Sequence, residues 1–145
     1  LRGAVIMADV VTVTPISETR RYCVYEFTNE SDGTGESSVK KIDLDDLIGT
    51  NGLTIGGNRP LSLTLIDASW TVSGFNYVTV KWDRTPTDKV IEVMAGTDGV
   101  NYESVGGKVD PNRSLGGSGD ILLTTDGGAD GSSYKITMMF RKKYS

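Results

Sequence analysis

The stretch Tyr134-Lys135-Ile136-Thr137-Met138-Met139-Phe140 alternates large apolar side chains with a second set at every other position. A period of two puts Tyr134, Ile136, Met138 and Phe140 on one face of an extended strand and Lys135, Thr137 and Met139 on the other. A strand that is apolar on one face only needs both neighbours and a cover. The fold therefore depends on what the rest of the chain can supply.

Upstream, the same short alternating runs recur between clusters of turn residues. The predicted strands are Val10 to Ile16, Arg20 to Thr28, Ser38 to Leu44, Leu61 to Val72, Tyr77 to Trp82, Val90 to Ala95, Val100 to Val105 and Ile121 to Thr124. In the second of these, Cys23, Tyr25 and Phe27 share a face; in Tyr77 to Trp82, Val78, Val80 and Trp82 do. Asn29 to Gly35 reads as a turn, because Asn and Asp accept local backbone bonds and glycine takes positive φ. Thr97-Asp98-Gly99 reads as a hairpin turn, and Thr85-Pro86-Thr87 as the end of a strand. The acidic run Asp43-Leu44-Asp45-Asp46-Leu47 fits one turn of helix or a strand end, and Ile48 to Pro60 is a glycine-rich loop. No longer segment has helical periodicity, so the only available cover for a half-apolar sheet is a second sheet. The expected fold is all-β: an antiparallel two-sheet sandwich of jelly-roll type with eight to nine strands. Phe27, Trp70, Trp82 and Phe140 are the candidate large core residues.

At 145 residues the chain is the size of one domain, assigned to residues 13–145, with residues 1–12 as an N-terminal extension. Met7-Ala8-Asp9 reads as a natural start, and the opening residues lack the apolar region and cleavage site of a signal peptide. No apolar run reaches the roughly 20 residues of a membrane span, so no membrane partner is expected. The single cysteine, Cys23, allows no internal disulfide.

Fifteen basic against nineteen acidic residues give a formal charge of −4. Nucleic-acid binding relies on clustered cations. Arg20-Arg21, Lys40-Lys41 and Arg141-Lys142-Lys143 are short runs beside strands, read as solvated surface rather than a nucleic-acid site. Histidine is absent, which removes the usual acid–base residue, the commonest metal ligand and the Ser-His-Asp arrangement. The glycine-rich segments lack the phosphate-loop pattern. Asp126 and Asp130 could offer oxygens to calcium, but as Asp-Gly turn chemistry they need no ion, and the EF-hand pattern is missing. Asp43, Asp45 and Asp46 read as solvated carboxylates, and Cys23 as a small core residue. Tyr22, Tyr25, Tyr77 and Tyr102 could form a sugar platform, though tyrosines in strands usually pack across strands. No catalytic residue, metal or cofactor is assigned, and the expectation is a non-enzyme.

Three passages carry a family resemblance: Met7-Ala8-Asp9-Val10-Val11-Thr12; Tyr25 through Ser37 (YEFTNESDGTGES) with Lys41-Ile42-Asp43 after it; and Gly119 through Thr125 (GDILLTT) leading into Tyr134-Lys135-Ile136-Thr137. They resemble small virion structural proteins of tailed phages, the capsid decoration or cement proteins, in which the middle passage reads KFTN.SDGTGES. The resemblance implies a jelly roll on the capsid surface, with an HK97-type major capsid protein as partner and no catalytic residues. A homo-oligomer, dimer or trimer, is the default for such a component. The expected contact elements are the segment before Thr12 and the loop Ile48 to Pro60, with Val5, Ile6, Val10, Leu53 and Ile55 as interface residues, because exposed apolar patches mark partners. Glu92 through Val105 is similar to a hairpin of discoidin-like jelly rolls, which leaves a carbohydrate-binding module as the alternative. A tail-fibre or adhesin domain is a third reading.

Overall fold

The computed structural model describes residues 8–52, 58–110 and 116–144. Val5, Ile6, Leu53 and Ile55 lie outside the described residues.

Nine strands are present among the described residues: β1 (Val10–Glu18), β2 (Tyr22–Asp32), β3 (Val39–Ile42), β4 (Ser62–Ser73), β5 (Tyr77–Trp82), β6 (Lys89–Met94), β7 (Thr97–Asn101), β8 (Ile121–Asp126) and β9 (Asp130–Lys143). They form a five-stranded sheet in the order β1-β2-β9-β4-β7 and a four-stranded sheet in the order β3-β8-β5-β6. Every pairing is antiparallel. Leaving β1 aside, β2 pairs with β9, β3 with β8, β4 with β7 and β5 with β6. That is one long antiparallel ribbon whose rungs alternate between sheets, closed by β4 on β9 and β5 on β8. The fold is a jelly roll, with β1 added to the open edge of β2.

The alternation that predicts β9 also determines what it buries. Tyr134, Ile136, Met138 and Phe140 are buried between the sheets, beside Cys23, Tyr25 and Phe27 of β2. Val78, Val80 and Trp82 of β5 and Ile121 and Leu123 of β8 meet them from the other sheet. Each such side chain contributes roughly 1.5–3 kcal/mol when taken fully out of water. The polar ends of both tryptophans are satisfied: Trp82 Nε1 donates to Leu63 O at 2.8 Å and Trp70 Nε1 to Ala95 O at 3.1 Å.

The structure corrects four local expectations. The strand β2 does not stop at Thr28; Asn29 to Asp32 continue it, and the turn begins at Gly33. Asn29 stays extended because its side chain bonds to other segments rather than to its own backbone. Thr97-Asp98-Gly99 is not a hairpin turn but lies within β7, and β6 and β7 belong to different sheets, joined at Gly96 with φ of 61°. Val90 and Val93 are exposed, so β6 is a half-exposed edge strand rather than a buried one. Val10, Val11 and Thr12, assigned from the sequence to the extension, pair with Glu30, Asn29 and Thr28 and so belong to the sheet.

Candidate interaction surface

β1 is the outermost strand of the five-stranded sheet, beside β2. It is exposed along almost its whole length, with Val10 at 65 %, Val11 at 42 %, Val13 at 40 % and Ile16 at 54 % of full exposure. Its register on β2 sets the facing. Val11, Val13 and Pro15 stand opposite Asn29, Phe27 and Tyr25 and so point to the core side, where nothing covers them fully. Between Asp9 and Glu18 the strand carries no charge.

Both ends of β1 are fastened by buried polar groups. At the start, the Asp9 carboxylate accepts bonds from Asn29 Nδ2 at 2.9 Å, Ser31 Oγ at 2.8 Å, Gly35 N at 3.1 Å and Asp32 N at 3.3 Å. Burial alone would push this carboxyl up, but those bonds outweigh it and hold Asp9 below the usual carboxylate range. Behind it lies a second layer. Glu36 accepts from Asn29 Nδ2 at 2.7 Å and from the Tyr134 hydroxyl at 2.5 Å, and pairs with Lys41 Nζ at 2.5 Å, with both charged side chains buried. Burial, then the Glu36 carboxylate, drives the Tyr134 phenol far above its ordinary value. The Ser31-Asp32-Gly33-Thr34-Gly35-Glu36 turn thus wraps the residue that leads into β1 and sends one acid into the core.

At the other end, Lys142 is buried and its three donors are all used, on Glu18 Oε2 at 2.6 Å, Thr19 O at 2.6 Å and Ile48 O at 2.8 Å. Glu18 Oε2 also accepts from Ile48 N at 2.5 Å, and the Tyr144 hydroxyl donates to Arg20 O at 2.5 Å and lies 3.2 Å from Ile48 O. The loop that begins at Ile48 is therefore rooted on the last residue of β1. Asp9, next to the expected N-terminal contact segment, and Ile48, where the expected contact loop begins, are thus held at opposite ends of one strand.

The remaining candidates are placed as follows. Of the expected interface residues, Val10 lies on this edge, beside the exposed Val11, Val13 and Ile16, which the sequence marks only as an uncharged Val/Thr strand. Asp43 caps a single 3-10 turn, Leu44–Asp46, through Asp45 N at 2.9 Å, and Asp45 pairs with Arg59 at 3.0 Å. Asp126 accepts from Asn76 at 2.9 Å, while Asp130 opens β9 opposite Asp32. Among the described residues no three or more His, Cys, Asp or Glu gather as a metal ion requires. Burial pushes the Cys23 thiol up to about 12, which leaves it protonated and inert at neutral pH.

The four tyrosines do not share a face. Tyr25 is in the core, Tyr22 and Tyr77 are exposed on different sheets, and Tyr102 donates to Glu92 at 2.6 Å. Tyr22 does border a small half-enclosed groove of about 100 Å³ on the outer face, with Asp67, Asn101, Glu103 and Arg141. No helix among the described residues is long and apolar enough to cross a membrane. Comparison with family models, curated proteins and solved structures finds no match for this chain.

Proposed function

We propose that this protein is a non-catalytic virion component, a decoration subunit that binds the outer surface of a tailed-phage shell built of HK97-type major capsid protein and reinforces the head. The observation that supports this best is the rooting of both contact elements along one strand edge. A half-buried carboxylate, bonded four times, holds the residue before β1, and a buried lysine holds the base of the loop 48–60. Polar groups committed to seating two surface segments are what a binding module needs, since a contact surface works best on rigid supports. The family resemblance supports the same reading, because its most distinctive passage, Ser31 to Ser37, includes the turn that grips Asp9. Many weak contacts repeated around a symmetric shell would give high occupancy without a tight single site. With a net charge of −4 and cations held in ion pairs, the chain is proposed to have no nucleic-acid partner.

The test is occupancy. The full chain should co-purify with DNA-filled particles at hundreds of copies per head. A chain lacking residues 1–7 should fold, since β1 and its clamp remain, yet lose most of that occupancy. Undiminished binding by the truncated chain would remove the N-terminal segment from the contact, and no binding by the full chain would end the virion reading. A carbohydrate-binding role, in a module or a tail-fibre domain, is the second reading; it rests on the groove beside Tyr22 and predicts glycan-array signals that Tyr22→Ala abolishes.

A further inference from the structure

Four strands edge the two sheets, and β1 differs from the other three. β3 is four residues long with Lys40 and Lys41, β6 carries Lys89 and Glu92, and β7 is five residues long with Asp98. Short length and charge are the usual protections of an open edge. β1 has nine residues and no charge from Val10 to Ser17, and its guards, Pro15 and a bulge between Pro15 and Ser17, both lie toward its far end. At a rise of about 3.4 Å per residue, Val10 to Pro15 offers roughly 17 Å of open edge.

The residue pattern of that edge indicates what covers it. Val10-Val11-Thr12-Val13-Thr14-Pro15-Ile16 is mirror-symmetric in character about Val13: two apolar residues, Thr, Val, Thr, two apolar residues. A foreign strand has no need of such a pattern. A two-fold contact sets the same patch against itself, and this pattern is complementary to itself in that arrangement. We propose that β1 pairs antiparallel with β1 of a second copy about a two-fold axis through Val13, joining the two five-stranded sheets into one.

In this register Val13 meets its own copy, Val11 meets Pro15 and Thr12 meets Thr14, with the bulge after Pro15 outside the paired stretch. Faces are matched as well. Val11, Val13 and Pro15 point to the core side of each copy but stay exposed there, and they cover the same three residues of the other. Pro15 has no amide proton, so the pairing lacks a donor there, near each end of the contact. The flanking acids do not oppose it, since the Asp9 carboxylate is engaged by Asn29 and Ser31 and Glu18 is paired with Lys142. A single strand edge is a small contact, so monomer and dimer should exchange with concentration.

The dimer itself is tested without any shell. Sedimentation equilibrium of the full chain should show a monomer–dimer equilibrium. Val13 is exposed, so Val13→Lys and Val13→Glu should fold as the unchanged chain does, verified by circular dichroism. Each places like charges directly opposite one another and should raise the dimer dissociation constant about tenfold or more. Mixed in equal amounts, the two variants should associate again, as a one-to-one heterodimer in native mass spectrometry. Val13→Cys should cross-link to itself on mild oxidation, while the buried Cys23 stays unreacted. A chain that stays monomeric at high concentration, a trimer, a dimer indifferent to Val13→Lys, or mixed variants that do not re-associate would each overturn the proposal. If dimers form as described but no chain binds particles, the two-fold pairing stands and the shell reading falls.

Discussion

Glu36 and Lys41 lie in passages that read as turn and surface, because charged residues are exposed by default. The fold instead buries both, 2.5 Å apart, beneath the turn that holds Asp9. Nothing in their local sequence marks this. Their partners come from Tyr134, on the far side of the chain, and from Asn29, whose strand position was itself illegible. A buried pair contributes little net stability, since desolvation consumes most of the Coulomb gain, but removing one partner leaves a bare charge. Lys41→Met should therefore cost about 3–5 kcal/mol, measured as the shift in urea unfolding, and adding Glu36→Gln should recover much of it. Against the roughly 5–15 kcal/mol that holds a domain together, the single change alone is a large loss. A cost below that of an ordinary surface substitution would mean the pair is not buried in solution.

Strand centres were legible in the sequence and strand ends were not. The periodicity of β5 and β9 follows from the sheet itself, since alternate side chains meet opposite environments. Ends depend on what the next segment finds to bond with. Asp98 and Gly99 have turn chemistry, yet they are held extended by pairing with Trp70 and Ser69 of β4. The glycines that do turn the chain differ in what surrounds them. At Gly117, φ is 94° and a Cβ would stand 2.5 Å from Asp83 O and 2.6 Å from Arg84 Cα, beside the buried Arg84–Asp110 pair. At Gly96, φ is 61° with open space around the missing Cβ. Gly117→Ala should lower stability by at least about 1–3 kcal/mol from backbone strain alone, with the steric clash in addition. Gly96→Asn, at a corner that Asn tolerates, should cost less than about 1 kcal/mol. Thermal unfolding of the two variants side by side checks the contrast; equal effects would contradict the packing at Gly117.

For the whole molecule, one buried thiol and two shielded tyrosines set an alkaline limit. Burial pushes Cys23 to about 12 from 9.0 and Tyr25 to about 12 from 10.0, and the Glu92 carboxylate, with burial second, pushes Tyr102 to about 12 from 10.0. In each case the folded value lies above the unfolded one, so above pH 9 the unfolded chain releases its protons first. The stabilisation is complete below pH 9 and is lost as pH rises toward 12. The urea midpoint should fall steadily over that window; a flat profile would show that these groups are not shielded.

The sequence by itself determined the class of this protein: an all-β sandwich, with Phe27, Trp70, Trp82 and Phe140 inside. Side-chain alternation is a local property, and burying an apolar face without helices leaves two facing sheets as the outcome. Tertiary structure alone decided which strands neighbour one another, which charges are buried, and which edge stays open. β1 and β9 lie far apart in sequence, yet β2 sits between them, and Lys142 reaches back to Glu18 at the end of β1. Strand order and the burial of a charge depend on partners distant along the chain, and no local pattern can encode a partner that only folding brings near.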